Sequence, residues 1–316
     1  MVKEQVGEFS IKGKDCLTLS DYTADEIKNL LILSSQLKHK HKAGEQNKAL
    51  DGKVLAMIFD KHSTRTRVSF AVAMTQLGGQ FLELSSKELQ YERGESIEDT
   101  ARILSSYVNG IMIRTSSHQH VEELAKHASV PVINGLTDLY HPCQALADLL
   151  TLQEKKGDLS QLKLAYVGDG NNVLHSLMHG AAATGLSLSI STPEGYEPMK
   201  KVWEAIQIGK QQGIHIDFHL DPYEAVKEAD AIYTDVWASM GQEEEKERRN
   251  KVFAPYQVNQ KLMKQAKSDA VFMHCLPAYR GLEVSTEVMD GAQSVVFAQA
   301  ENRLHTSKAL LLSLIG

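Results

Sequence analysis

Val54-Leu55-Ala56-Met57-Ile58-Phe59-Asp60-Lys61-His62-Ser63-Thr64-Arg65-Thr66-Arg67 sets an apolar run directly before a basic, hydroxyl-bearing segment. Its first six residues are an unbroken apolar run, the pattern of a buried strand. Beyond Arg67, the residues Val68, Phe70, Val72, Ala73, Met74 and Leu77 recur at helical spacing up to Gly78-Gly79. The stretch is therefore strand, turn, helix, with Ser63 and Thr64 at the helix start. Free backbone N–H groups and the positive end of the helix dipole face outward at such a start. An oxyanion placed there meets amides, hydroxyls and guanidinium forks together. Serine or threonine before a helix is ordinarily just an N-cap. Arginine in a first turn opposes the dipole unless an anion is present, and here two arginines flank Thr66. The glycines and the Gly-Lys-Ser/Thr ending of a nucleotide-binding P-loop are missing. Spacing alone points to a phosphate or a carboxylate.

The same strand-helix alternation runs through the rest of the chain. Upstream, Thr23-Ala24-Asp25-Glu26 fits a capping box, and Ile27, Leu30, Leu31 and Leu37 give an amphipathic helix ending near Gly44. Downstream come a strand at 80–84, a polar loop from Ser85 to Gly94, a helix from Ser96 to about Tyr107, and a strand at 111–113 ending in Arg114. A helix follows at 121–128, then a strand at 130–133. His141-Pro142-Cys143-Gln144 opens another helix, with Pro142 suited to its first turn. A polar, charged connection, Glu154-Lys155-Lys156-Gly157-Asp158, marks a change of domain. After it the pattern predicts strands at 162–167, 187–190, 214–218, 231–233 and 271–273. A last strand is expected at Ser294-Val295-Val296, and a long closing helix from Ala298 to Leu314. The expected fold is α/β: two doubly wound parallel-sheet domains with a cleft between them. The first spans 1–150, with the closing helix of about 298–316 packing back onto it, and the second spans 151–297.

Composition narrows the function classes. The chain has 316 residues and a formal net charge of -6. That balance disfavours nonspecific binding to nucleic acid or anionic membranes. No apolar run approaches transmembrane length, and Met1-Val2-Lys3-Glu4-Gln5 begins nothing like a signal peptide. Three scattered cysteines, Cys16, Cys143 and Cys275, make a disulfide framework a poor expectation and a reducing cytoplasm the default. The histidines form no metal-ligand spacing, and His39/His41 and His118/His120 read as solvated surface pairs.

In open parallel sheets, ligands bind beyond the carboxyl ends of the strands. The polar residues expected there are Ser63 to Arg67, Arg114, His141 and Gln144 from the first half. From the second half they are Asn172, Asp235, Ser239, Met240, His274, Cys275 and Arg303. The first set is cationic or donating and suits an anion. The second adds a carboxylate and an amide, which suit a cationic or zwitterionic ligand. Each residue has an ordinary alternative: His141 as a helix cap, Asp235 as a turn residue, Cys275 as a small buried hydrophobe, Arg303 as helix surface. Gly168-Asp169-Gly170 lacks the third glycine of a dinucleotide fingerprint and reads as a tight strand-to-helix connection.

Ser63-Thr64-Arg65-Thr66-Arg67 resembles the carbamoyl phosphate loop of the aspartate/ornithine carbamoyltransferase family, and His141-Pro142-Cys143-Gln144 is similar to that family's His-Pro-x-Gln. Asp235-Val236-Trp237-Ala238-Ser239-Met240-Gly241, His274-Cys275-Leu276-Pro277 and Ala300-Glu301-Asn302-Arg303 resemble its ornithine-using members. An aspartate-using member would carry Pro-Leu in place of Cys275-Leu276, and a putrescine-using one would differ at Ser239-Met240. Asp60 and His62 stand where the family commonly has Glu and Pro.

The resemblance implies transfer of a carbamoyl group from carbamoyl phosphate to the side-chain amine of L-ornithine. The products are L-citrulline and phosphate, within arginine metabolism. It implies that Ser63, Thr64, Arg65 and Thr66 hold the phosphate, while Arg114, His141 and Gln144 polarise the carbamoyl oxygen. Pro142, Cys143, Cys275, Leu276 and Arg303 complete the surroundings of carbamoyl phosphate. Asn172, Asp235, Ser239 and Met240 place ornithine, and Cys275, helped by Asp235, accepts the proton of the amine. No metal and no cofactor are required. The resemblance also implies a homotrimer or an assembly of trimers, with Gln90 reaching into a neighbour's phosphate site.

Overall fold

A computed structural model describes residues 10–61, 63–86, 89, 94–208, 215–238 and 243–316. His62, Gln90, Ser239 and Met240 lie outside the described residues. The chain divides into two compact units, Met1–Leu150 with Asn302–Gly316, and Thr151–Glu301.

In the first unit, α1 (Ala24–Lys42) begins as the sequence predicts. Thr23 Oγ1 accepts the Glu26 N–H, and Glu26 Oε2 accepts the Thr23 N–H in return. The apolar run forms β1 (Val54–Phe59), buried at every residue but its first. It is followed by α2 (Arg65–Gln76), β2 (Gln80–Ser85), α3 (Ile97–Tyr107), β3 (Gly110–Arg114), α4 (His118–His127), β4 (Val132–Leu136) and α5 (Pro142–Lys156). The strands form a parallel sheet in the order β2-β1-β3-β4. The order reverses between β1 and β3, and their carboxyl ends, Phe59 and Arg114, are register partners. That is where a ligand crevice opens in such a sheet.

Ala56, Ile58, Ile111, Ile113, Val121, Leu124 and Val132 pack α3 and α4 against one face. Full burial of each large aliphatic side chain contributes about 1.5–3 kcal/mol.

Two readings of this half change. The fourth strand starts at Val132, because Pro131 has no N–H to give a ladder and offers only its carbonyl, to Ile111. It runs through Gly135, where a Cβ would lie 2.6 Å from Met112 Sδ. The register shifts between Ile113 and Arg114, so Arg114 pairs with Leu136. His118 is not at the surface: it is buried, with Nδ1 3.2 Å from Thr137 Oγ1 and its ring edge-on to Tyr140.

The second unit holds β5 (Lys163–Val167), α6 (Asn172–Thr184), β6 (Ser187–Ser191), α7 (Lys200–Ile208), β7 (Ile216–His219), α8 (Pro222–Ala225) and β8 (Ala231–Thr234). After these come α9 (Lys246–Phe253), α10 (Gln260–Met263), β9 (Val271–His274), α11 (Thr286–Met289) and α12 (Val296–Ile315), whose later residues belong to the first unit. The sheet is parallel in the order β7-β6-β5-β8-β9. Its reversal lies between β5 and β8.

The strand expected at Ser294-Val295-Val296 does not form. Ser294 makes one isolated bridge to Phe272, and Val295 gives its N–H to Phe272. The Val295 carbonyl then takes the Gln299 N–H and starts α12. Among the described residues, no helix is long and apolar enough to cross a membrane.

Candidate active site

The first unit gathers its cations at the carboxyl ends of β1 and β3. No side chain caps α2 among the described residues, and Thr64 makes no capping bond. The first-turn N–H groups therefore remain available to an anion. Ser63 and Arg65 are half-buried and Thr64 is exposed at this turn. Thr66 is buried and its Oγ1 accepts from Arg303 Nη2 at 3.1 Å. Arg303 Nη1 donates to Gln144 Oε1 at 2.6 Å, and Gln144 Nε2 donates to Asp148 Oδ1 at 2.7 Å. Thr66, Arg303, Gln144 and Asp148 thus form one buried chain, with Asp148 compensating the guanidinium two links away.

The two arginines of the turn part company. Arg67 lies 4.7 Å over the Phe59 ring with Nε 3.4 Å from Glu83.

His141 and Arg114 are both buried. Burial first, and then the positive charges of Arg303, Arg114 and Arg65, hold the His141 imidazole well below its usual pKa. A neutral ring there is an N–H donor that adds no further positive charge. Pro142 opens α5 in this wall. Cys143 points its thiol at the Asn134 carbonyl, 3.4 Å away, and burial pushes it up to about 11. Its thiol therefore stays protonated, and any ligand contact from this residue falls to its backbone.

In the second unit the ends of β5, β8 and β9 meet. Asn171 caps α6 by accepting from Val173 and Leu174, and gives Nδ2 to Asp235 Oδ2 at 2.7 Å. Asp235 Oδ1 accepts the Val236 N–H at 2.8 Å and the Cys275 thiol at 2.9 Å. Thr234 and His274 are register partners in adjacent parallel strands, which places Asp235 and Cys275 side by side one residue on. Asn172, half-buried, is the first residue of α6.

The segment carrying Cys275 is fixed by His274. Its N–H reaches Gln299 Oε1, its Nδ1 accepts the Leu276 N–H at 2.9 Å, and its Nε2 lies 3.1 Å from Glu283 Oε1. Because Nδ1 accepts, the ring proton sits on Nε2 and is donated to Glu283. Leu276 is held at φ +61°, a left-handed conformation unusual for a leucine and typical of functional turns.

Glu283→Leu strands the His274 and Tyr279 N–H groups that this carboxylate accepts. It is expected to cost about 2–4 kcal/mol in urea unfolding. Glu283→Gln, which keeps an acceptor, is expected to cost less than half of that. Equal losses in the two variants would count against this anchoring.

The donor atoms of Asp235, His274 and Cys275 lie within 4.8 Å of one another, close enough to hold a cation. The protein already engages all three in the bonds above.

Asn171, Asp148, Glu283 and Gln299 support these sites and are not singled out by the sequence. Asn171 carries a readable signal, an Asn immediately before the apolar helix Val173-Leu174. Asp169 is a second such case: it pairs with Arg249 at 3.0 Å, and Arg249 also donates to the Trp237 carbonyl. Those bonds tether the segment that leads from Asp235 toward Ser239 and Met240.

Residues 14–154 match the family described as aspartate/ornithine carbamoyltransferase, carbamoyl-P binding domain. Residues 160–314 match aspartate/ornithine carbamoyltransferase, Asp/Orn binding domain. The ornithine carbamoyltransferase of Anoxybacillus flavithermus is 60% identical over 308 residues, which cover 97% of this chain and 98% of that one. That of Pyrococcus horikoshii is 57% identical over 309 residues, 97% of both chains. The solved structure of ornithine carbamoyltransferase from Pyrococcus furiosus superposes with a TM-score of 0.94 at 55% identity, covering 98% of this chain and 99% of that one. With both domain descriptions matched in order and relatives this similar along nearly the whole length, the chain belongs to the aspartate/ornithine carbamoyltransferase family.

Proposed function

We infer that the chain transfers the carbamoyl group of carbamoyl phosphate to the side-chain amine of L-ornithine, releasing L-citrulline and phosphate. It is a transferase of arginine metabolism. The observation that carries the choice of ornithine is the Asn171–Asp235–Cys275 cluster, a buried carboxylate bonded to a thiol at the ends of adjacent strands. A carboxylate there is a natural partner for an ammonium group.

The residues divide the work by charge. Ser63, Thr64, Arg65, Thr66 and the α2 N-terminus hold the phosphate and offset its growing charge as it leaves. Arg114 and neutral His141 face the carbamoyl oxygen, which becomes an oxyanion when the amine attacks. Gln144 keeps Arg303 aligned, and Pro142, Cys143 and Leu276 complete the carbamoyl phosphate surroundings. Asn172, Asp235, Ser239 and Met240 hold ornithine. The attacking nitrogen must first lose a proton, because an ammonium has no lone pair. The Cys275–Asp235 pair takes that proton, with Asp235 relieving Cys275 of its own. Alignment of amine and carbonyl carbon supplies much of the remaining rate. None of these steps calls for a metal or an organic cofactor.

Steady-state assays with ornithine, putrescine, aspartate and N-acetylornithine as acceptors test the substrate. Ornithine is expected to give the highest kcat/KM, by roughly a hundredfold or more, because the other acceptors leave a buried polar group unmatched. Preference for any other amine would reassign the second substrate.

The working assembly in this proposal is a homotrimer in the cytoplasm, with Gln90 completing a neighbour's phosphate site. Arg65→Ala and Gln90→Ala chains, each nearly inactive alone, are expected to regain activity when subunits exchange. Mixed trimers confirmed by mass spectrometry without recovered activity would mean that each subunit carries a complete site.

A further inference from the structure

The first unit holds a pocket of about 380 Å3 that carbamoyl transfer leaves unused. Its walls include Lys40, His41, Glu45 and Lys48 from the end of α1 and the loop after it, Gln76 at the end of α2, and Lys308 of α12. The wall between loop and helix is close-built. Gly78 sits at φ +83°, and a Cβ on it would lie 3.0 Å from the Lys48 Cα.

A cation on the last turn of α1 is ordinary, since it complements the helix dipole. Lys308 is different. It stands two turns inside α12 and is only 4% exposed. No hydrogen bond or ion pair joins its ammonium to any other described residue. Burial alone pulls its pKa down. An ammonium held this way is unfavourable unless something accepts from it. Gln76, on the same pocket wall, has a buried Oε1 with no partner among the described residues. The pocket walls thus carry a lysine and, just beneath the surface, a glutamine oxygen that lack partners among the described residues, with three lysines against one glutamate.

We propose that this pocket binds a small oxyanion that carries its own hydrogen-bond donor, of the class of a hydrogen phosphate, a phosphomonoester or a hydroxycarboxylate. An anion oxygen accepts from Lys308, and the Gln76 amide turns its buried oxygen toward the pocket to accept the ligand's O–H. Lys40 and Lys48 meet the remaining charge. The site is separate from the phosphate cradle: Gln76 lies about 15 Å along α2 from Thr66, at 1.5 Å per residue. Two of the three helices that reach the pocket, α2 and α12, are those that carry Thr66 and Arg303, so an anion bound there braces both without competing at the cradle.

Isothermal titration of the wild-type chain, Lys308→Met and Gln76→Leu with inorganic phosphate and, separately, with citrate tests this. The wild type is expected to bind one more equivalent of at least one of these anions per chain than Lys308→Met. Gln76→Leu is expected to weaken that same equivalent by about tenfold or more. The citrate and phosphate arms tell which oxyanion the pocket prefers. Anion bound at the reaction site is common to all three proteins and cancels, so the result does not depend on the carbamoyl transfer reading. Equal stoichiometry and affinity for both anions in the wild type and Lys308→Met, with thermal unfolding showing both folded, would overturn the proposal. So would an extra equivalent that Gln76→Leu leaves untouched.

Discussion

Arg65→Ala is expected to lower kcat/KM for carbamoyl phosphate by roughly a hundred- to a thousandfold, the scale of losing one oriented donor to a developing charge. Arg65 opens α2 where the amide N–H groups are uncapped. Its charge also helps keep His141 neutral, so alanine removes both a phosphate fork and part of the field on the neighbouring donor. Arg67 lies over the Phe59 ring with Glu83 beside it, a placement that favours Arg65 as the phosphate fork. Arg65→Lys is expected to recover little, since a compact ammonium cannot give two parallel bonds to one phosphate. Stability should change little in either variant, because Arg65 is only half-buried. Near-normal turnover in the lysine variant would remove Arg65 from the phosphate fork.

The second large effect is expected at Asp235. The carboxylate accepts from Asn171, Val236 and Cys275 together. Asn at this position cannot accept at both ends, so its NH2 group must face one of those donors. It also removes the negative charge meant for an ammonium. Asp235→Asn is therefore expected to lower kcat/KM for ornithine by roughly a thousandfold while carbamoyl phosphate binding, measured by calorimetry, stays within about threefold. Cys275→Ala, which leaves Asp235 in place, is expected to lower kcat and spare the KM for ornithine. If both substrates suffer equally in Asp235→Asn, the residue is a structural support and not an ornithine contact.

What the sequence made legible follows physical range. The strand, turn and helix around Ser63 to Arg67 declare themselves because strand burial and helical periodicity are local. The cap at Thr23 is readable for the same reason. The chain Thr66–Arg303–Gln144 is not, since its members come from α2, α12 and α5 and meet only after folding. The paired arginines of the turn look equivalent in sequence, yet a glutamate on β2 takes one of them. Asn171 and Asn172 differ by one position, and the cap geometry shows that Asn171 bonds Asp235. Ser294-Val295-Val296 has strand composition, but Val295 begins the ladder of α12 instead. Lys308 reads as one more cation in a helix until its burial is seen.

Carbamoyl transfer to ornithine is tested most directly by quantifying both products from the purified chain supplied with carbamoyl phosphate and L-ornithine. The roles proposed for Arg65, His141, Asp235 and Cys275 predict citrulline and phosphate in one-to-one ratio, with no citrulline when ornithine is left out. Phosphate release without citrulline, or binding of carbamoyl phosphate with no turnover at all, would contradict it.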